Sequence, residues 1–92
     1  MEMKMENIYR TKDLYESSYL YACHKKLLQL DRENGRCWFI FQDKQSCQSL
    51  IDSYWRREAK IDAKEFIDAL RSLKDRIFNN GDENEKLNNK NR

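Results

Sequence analysis

The sequence predicts an α+β domain in the order β-α-β-β-α-α, with a small three-stranded sheet packed against three helices. Two observations carry this prediction. The dipeptide Asn34–Gly35 separates two strand-favouring runs, which is the strongest short-range signal for a β-hairpin. Three other segments place apolar residues at helical spacing after an aspartate that can cap a helix. The 92 residues suffice for one small domain.

Composition and charge restrict the partners and the cellular location that we expect for the protein. Charged residues make up 37% of the chain, and 18 Lys and Arg against 16 Asp and Glu leave a net charge of +2. Nucleic-acid binders usually carry a clear basic excess, so this balance does not by itself predict one. The chain has no apolar run long enough to span a membrane, and the polar start MEMKMEN does not resemble a secretion signal. We therefore expect a cytoplasmic protein with no membrane partner.

The first strand and first helix are predicted over residues 7–26. NIYRTK (7–12) mixes strand-favouring side chains with charges. Asp13 can cap the helix DLYESSYLYACHKK (13–26), and Glu16 stands at the position that completes a capping box. Two lysines at the end of this segment suit the negative end of the helix dipole.

The hairpin follows over residues 27–43, and a two-residue Asn-Gly loop fixes its register. This register pairs Glu33 with Arg36 next to the turn and Leu28 with Phe41 at the far end. The face that we expect in the core carries Leu28, Leu30, Phe39 and Phe41. The opposite face carries Gln29, Asp31, Glu33, Arg36, Trp38 and Ile40.

Two further helices complete the domain. Asp43 can cap a helix over residues 44–59, whose buried stripe is Cys47, Leu50, Ile51 and Tyr54. Asp62 and Glu65 form a second capping-box pattern at the start of the third helix, which ends at Asn79–Asn80 or Gly81. Its apolar stripe is Phe66, Ile67, Leu70, Leu73, Ile77 and Phe78, and an exposed salt-bridge ladder is predicted for Lys64, Asp68, Arg71 and Asp75. We expect a flexible N-terminus (1–6), one domain (7–79) and a disordered polar tail (80–92).

No catalytic or metal-binding motif is present. The soft ligands are Cys23, His24, Cys37 and Cys47, and the cysteines lack the C-x-x-C spacing that zinc sites favour. We expect reduced cysteines, with Cys37 and Cys47 at core positions, and no metal or cofactor. The sequence has no Gly-rich phosphate loop and no serine elbow, so we expect no enzymatic activity.

The second face of the hairpin raises a different question, because a half-buried strand needs only one apolar face. Helices could cover Trp38 and Ile40 as a third layer, a second copy could pair with them, or they could bind another partner. An aromatic and an aliphatic residue rimmed by charges are typical of a protein interface. We therefore expect a protein-binding surface formed by Trp38, Ile40, Arg36 and Asp31.

Nucleic acid is the alternative partner. Its candidate residues are Arg10, Lys12, Trp55, Arg56, Arg57 and Lys60, in which cations could bind phosphates and the indole could stack on a base. For Trp55 a place in the core or in a dimer contact is the favoured interpretation, because tryptophan is highly buried on average.

Four segments carry a resemblance: YRTKDLYESSYLYA (9–22), FIFQD (39–43), YW (54–55) and IDAKEFIDALRSLKDRIF (61–78). They resemble a small uncharacterised domain family of bacterial, archaeal and phage genomes, often in mobile elements. Its pattern is Y-x-T-x-D-L-Y, then F-x-F-x-D, then F-x-x-A-L-R-x-L-K. The resemblance implies a stand-alone accessory protein of a phage or mobile element. We expect it to bind a protein partner such as a host defence, replication or transcription complex, with nucleic acid or self-association as the alternatives.

Overall fold

The computed structural model describes residues 7–81, with side chains described for residues 7–78. The elements are β1 (Ile8–Thr11), α1 (Leu14–Ala22), β2 (Leu27–Glu33), β3 (Arg36–Gln42), α2 (Lys44–Trp55) and α3 (Ala63–Gly81). The predicted α+β fold and its element order are confirmed. The predicted flexible segment 1–6 and residues 82–92 of the predicted tail lie outside the described residues.

The sheet has the strand order β1-β3-β2, and both pairings are antiparallel. β1 and β2 therefore run in the same direction on either side of β3, and α1 connects them. Since β3 is the central strand, its side chains have cross-strand neighbours on both sides. This placement determines the environment of Trp38 and Ile40.

The hairpin turn has the conformation that the sequence predicts. Asn34 and Gly35 have φ values of 51° and 81°, as a two-residue loop of this kind requires. The predicted register is confirmed over the five residue pairs nearest the turn. Beyond them an irregularity shifts the pairing, so that Leu27 faces Phe41. The predicted core position of Leu28 is therefore wrong, and this side chain is 43% exposed.

All three helices contribute to one hydrophobic core with the same face of the sheet. Its buried residues are Tyr19, Leu20, Phe39, Phe41, Cys47, Ile51 and Leu73. α1 packs against both other helices and β1, so even Ser17 and Ser18 are fully buried. Their hydroxyls donate hydrogen bonds to backbone carbonyls one turn earlier, at 2.9 and 2.8 Å, which satisfies them inside the core.

The helix starts follow the sequence closely. Carboxylates of Asp13, Asp43 and Asp62 accept hydrogen bonds from backbone N–H groups in the first turns of α1, α2 and α3. The capping box predicted for Glu16 is wrong. The Asp13 N–H donates to Thr11 Oγ1 at 3.1 Å instead, which leaves the Glu16 carboxylate available for other partners.

The first two helices end earlier than predicted, at Ala22 and Trp55. In each case the second residue after the helix is left-handed, with φ of 69° at His24 and 64° at Arg57. The next N–H then donates to a carbonyl five positions back, at 3.0 and 2.9 Å. This is the hydrogen bond of a Schellman motif, and it terminates each helix.

The third helix buries fewer side chains than its apolar stripe predicts. Ala69 and Leu73 are buried, whereas Ile67 and Phe78 are 41% and 69% exposed, so the predicted burial of these last two is wrong. Of the predicted ladder, the described residues form one ion pair, between Lys64 and Asp68 at 2.9 Å. α3 packs mainly against α1, which leaves most of its circumference in solvent.

Replacing Leu73 by alanine should destabilise the domain, because this fully buried side chain joins α3 to the common core. We expect the free energy of unfolding to fall by about 2–5 kcal/mol. Urea unfolding followed by circular dichroism measures it, with Ile67→Ala as the matched control on the same helix. Equal losses in the two variants would contradict the assigned packing face of α3.

Candidate interaction surfaces

Trp38 lies on the face of the sheet opposite the helices and is covered from β1. The Arg10 guanidinium lies 4.4 Å from the indole centroid, and the Lys12 ammonium lies 5.3 Å from it. Both distances are typical of cation–π contacts. Trp38 is consequently half-buried. The structure thus brings a predicted protein-binding residue together with two predicted nucleic-acid-binding residues.

Ile40 does not form an exposed patch beside Trp38. It pairs with Arg10 on β1 and with Gln29 on β2, and only 5% of its surface is accessible. The expectation of an exposed Trp38–Ile40 face is therefore wrong for Ile40. The reason is that β3 is the central strand, so long side chains of two neighbouring strands flank this position.

Carboxylates interrupt the positive charge on this outer face. Glu33 lies 3.9 Å from the Arg10 guanidinium, and Asp31, which pairs with Trp38 across the hairpin, accepts a hydrogen bond from Gln29. A shallow cavity of about 330 Å³ is lined by Glu33, Asn34, Arg36 and Trp38. The outer face is therefore of mixed charge around a half-buried indole.

Trp55, the last residue of α2, is exposed over 61% of its surface, so its predicted place in the core is wrong, whereas the alternative of a dimer contact stays a prediction. Its position is nevertheless fixed. The indole N–H donates a hydrogen bond to Glu16 Oε2 at 2.6 Å. The ring centroids of Trp55 and Tyr54 lie 5.3 Å apart, with the two rings nearly perpendicular. Tyr54 in turn stacks on the buried Tyr19. The indole is thus anchored to the core at one edge while most of it faces solvent.

Glu16 is the polar centre of this region. Its Oε1 accepts hydrogen bonds from the hydroxyls of Tyr9, at 3.1 Å, and Thr11, at 3.0 Å, while Oε2 binds Trp55. Burial, reinforced by the Glu16 charge, raises the pKa of Tyr9 well above its usual value. The carboxylate therefore joins β1, α1 and α2. Sequence reasoning missed this role because Glu16 also fits a capping box.

Tyr54 lies within reach of several charges. Burial raises its pKa, and the carboxylates of Asp13 and Glu16 and the Tyr15 hydroxyl raise it further. Tyr15 is 55% exposed. Trp55 is likewise exposed, so two aromatic side chains near the Glu16 carboxylate face solvent: Tyr15, its neighbour in sequence, and Trp55, its hydrogen-bond donor.

The basic residues after Trp55 lie in the connection between α2 and α3. Arg56 is paired with Glu58 at 3.0 Å. Arg57 is the left-handed residue that ends α2, and both it and Lys60 are exposed. The predicted cluster is thus next to the exposed indole, with one of its three cations already paired. Arg10 and Lys12, which the sequence grouped with it, instead contact Trp38.

The cysteines are all free thiols. Burial raises the pKa of Cys47 to about 11, and its Sγ lies 3.4 Å from the Gln42 carbonyl oxygen. Within residues 7–81 no three His, Cys, Asp or Glu side chains group as metal ligands would.

A cleft of about 510 Å³ between α1 and α3 is lined by Tyr21, Ala22, His24, Lys25, Glu65, Asp68, Ala69 and Ser72.

Among the described residues, no helix is both long and apolar enough to cross a membrane.

A family model described as Domain of unknown function (DUF5659) matches residues 6–79. No curated protein and no solved structure matches the chain.

Replacing Glu16 by alanine should lower the free energy of unfolding by about 1–3 kcal/mol, because two partly buried hydroxyls and an indole N–H lose their acceptor. Urea unfolding measures this loss. The exposed carboxylate Asp75 provides the control, since Asp75→Ala should change stability by less than about 0.5 kcal/mol. A Glu16 variant as stable as this control would contradict the network.

Stability should also fall at alkaline pH through Cys47. Its raised pKa means that the folded state holds the proton more tightly than the unfolded state. This contribution is complete below the ordinary thiol pKa of about 9 and is lost as pH rises through about 11. Unfolding free energies measured across this window should therefore decline less steeply in Cys47→Ala than in the parent. Parallel declines would contradict the burial of this thiol.

Proposed function

The chain belongs to the DUF5659 family, whose description assigns no activity, and we propose that it is a non-enzymatic protein-binding domain. Its contact region is the Trp55 surface, defined as Tyr15, Trp55, Arg56 and Arg57. The observation that carries the proposal is the exposed indole of Trp55 held in place by Glu16.

The composition of the Trp55 surface supports a protein partner. Tryptophan, tyrosine and arginine are the residues most enriched among those that dominate binding energy at protein interfaces. Here two exposed aromatics and two exposed arginines lie at the start of α1 and the end of α2. A single exposed apolar side chain needs no explanation, but this combination matches an interface.

The fixed geometry of Trp55 also favours binding. Ordering a side chain on association reduces affinity, and a side chain already held in one orientation avoids much of that cost. The hydrogen bond to Glu16 and the edge contact with Tyr54 provide this order before any partner arrives. The remaining ring surface is available for contact.

The charges around Trp55 favour protein over nucleic acid. Three cations, Arg56, Arg57 and Lys60, share the region with four carboxylates, those of Asp13, Glu16, Asp52 and Glu58. A polyanion that follows the surface would meet the carboxylates as well as the cations. A protein partner can place individual charges to suit both signs.

As part of the same proposal, the chain is an accessory protein of a phage or mobile element in the host cytoplasm. It acts by occupying a surface of a larger complex, with host defence, replication and transcription complexes as candidates. A domain of this size without a catalytic motif suits such a role. Self-association through Trp38 and Ile40 is not proposed, because Ile40 is already buried within one copy.

The second candidate function is binding of single-stranded nucleic acid on the outer face of the sheet. The observation that favours it is the pair of cations, Arg10 and Lys12, around the Trp38 ring. Single-strand binders combine aromatic rings with positive charge in this way. The neighbouring Asp31 and Glu33 weaken the attraction for phosphate, so this candidate ranks second.

Replacing Trp55 by alanine should abolish partner capture while leaving the fold intact, because most of the ring lies outside the core. The test is quantitative affinity capture from host lysate with the parent, Trp55→Ala and Trp38→Ala. We expect the proteins retained by the parent to be retained by Trp38→Ala and lost from Trp55→Ala.

Loss from Trp38→Ala alone would contradict the assignment to the Trp55 surface. Fluorescence anisotropy with a labelled single-stranded oligonucleotide tests the second candidate in the same three proteins. Binding that weakens steeply with salt and disappears in Trp38→Ala would favour nucleic acid over protein.

A further inference from the structure

The carboxylates around Trp55 already have hydrogen-bond partners within the fold. Glu16 accepts from three side chains, and Asp13 accepts from the first turn of α1. Asp52 accepts from Gln48 at 3.2 Å. Glu58 is paired with Arg56. Each of these acidic groups therefore has at least one partner within the fold, although each keeps its negative charge.

The cations divide differently. Arg56 is held by Glu58, whereas the Arg57 and Lys60 side chains form no ion pair or hydrogen bond with residues 7–78, whose side chains the structure describes. Both are exposed. Arg57 is the nearer in sequence to the indole, only two residues beyond Trp55. Of the two unpaired cations, Arg57 is therefore our candidate for contact with a partner that covers the indole.

The backbone of Arg57 adds a second observation. Its φ of 64° is left-handed, in the position after a helix where glycine is strongly preferred because it has no Cβ. His24 occupies the same position after α1, with φ of 69°. The conformation alone therefore indicates no function, but it allows the Arg57 side chain to be removed without disturbing the backbone.

We infer that Arg57 determines the specificity of the Trp55 surface and that the partner presents an acidic peptide segment to it. This inference rests on the proposed protein-binding function. A guanidinium binds a carboxylate through two parallel hydrogen bonds, which fixes the orientation of the partner as well as its charge. The segment would carry an Asp or Glu beside an apolar side chain that contacts the exposed face of Trp55.

A random peptide library displayed on phage provides a probe that does not require the natural partner. Selection on the parent, followed by counter-selection on Trp55→Ala, yields peptides that depend on the indole. We expect Asp and Glu to be enriched in them at least about twofold over the unselected library, with an apolar residue nearby.

Three variants then test Arg57 itself with the selected peptides. Arg57→Gly should weaken binding about tenfold or more, and Arg57→Lys should recover part of it, because charge is kept but the bidentate geometry is lost. His24→Gly is the matched control, since it makes the same backbone change after α1 and should leave binding unchanged. Both glycine variants should unfold at a temperature no lower than the parent does.

The outcomes separate this inference from the proposed function. Peptides that depend on Trp55 but lack acidic residues, or that bind Arg57→Gly as well as the parent, would overturn the role of Arg57 and leave the Trp55 surface in place. Failure to obtain any Trp55-dependent peptide would overturn both. Binding of labelled oligodeoxythymidylate that is lost in Arg57→Gly would assign the cation to phosphate and overturn the acidic-peptide partner.

Discussion

The carboxylate of Glu16 is the interaction on which the arrangement of this domain depends. It lies in α1 and accepts hydrogen bonds from Tyr9 and Thr11 in β1 and from Trp55 at the end of α2. β1 is an edge strand of four residues, so it forms few hydrogen bonds with the sheet. The hydroxyls of Tyr9 and Thr11 attach it to α1 as well. The same carboxylate fixes the indole at the edge of the core. Local stability and the presentation of Trp55 therefore share one residue.

The two tryptophans have opposite surroundings, and this contrast is the reason that we propose partner binding at Trp55 rather than at Trp38. Arg10 in β1 and Lys12 just after it cover Trp38, and the nearby Ile40 is buried between strands. Trp55 is held by the hydrogen bond of its N–H to Glu16 and by its contact with Tyr54, and 61% of its surface stays exposed. An indole covered by the domain's own side chains must lose those contacts before it can bind. An indole that is exposed and already oriented binds without that loss.

Much of the fold could be predicted from sequence because its signals are local. Asn34–Gly35 fixes the turn, and three capping aspartates mark where helices begin. The errors arise where distant segments decide the outcome. Leu28 leaves the core through a shift in pairing, and the strand order buries Ile40. Glu16 fits a capping box in sequence, but the contact with Trp55, 39 residues away, gives it another role. The exposure of Trp55 could not be anticipated for the same reason.

The most direct test of this account is the exchange of the Trp55 indole proton with solvent, measured by NMR in the parent and in Glu16→Ala. A hydrogen-bonded N–H must open before it exchanges, even when the ring around it is exposed. We expect slow exchange in the parent and exchange close to that of a free indole in Glu16→Ala. Equally fast exchange in both proteins would show that Glu16 does not hold Trp55, and would contradict the central claim.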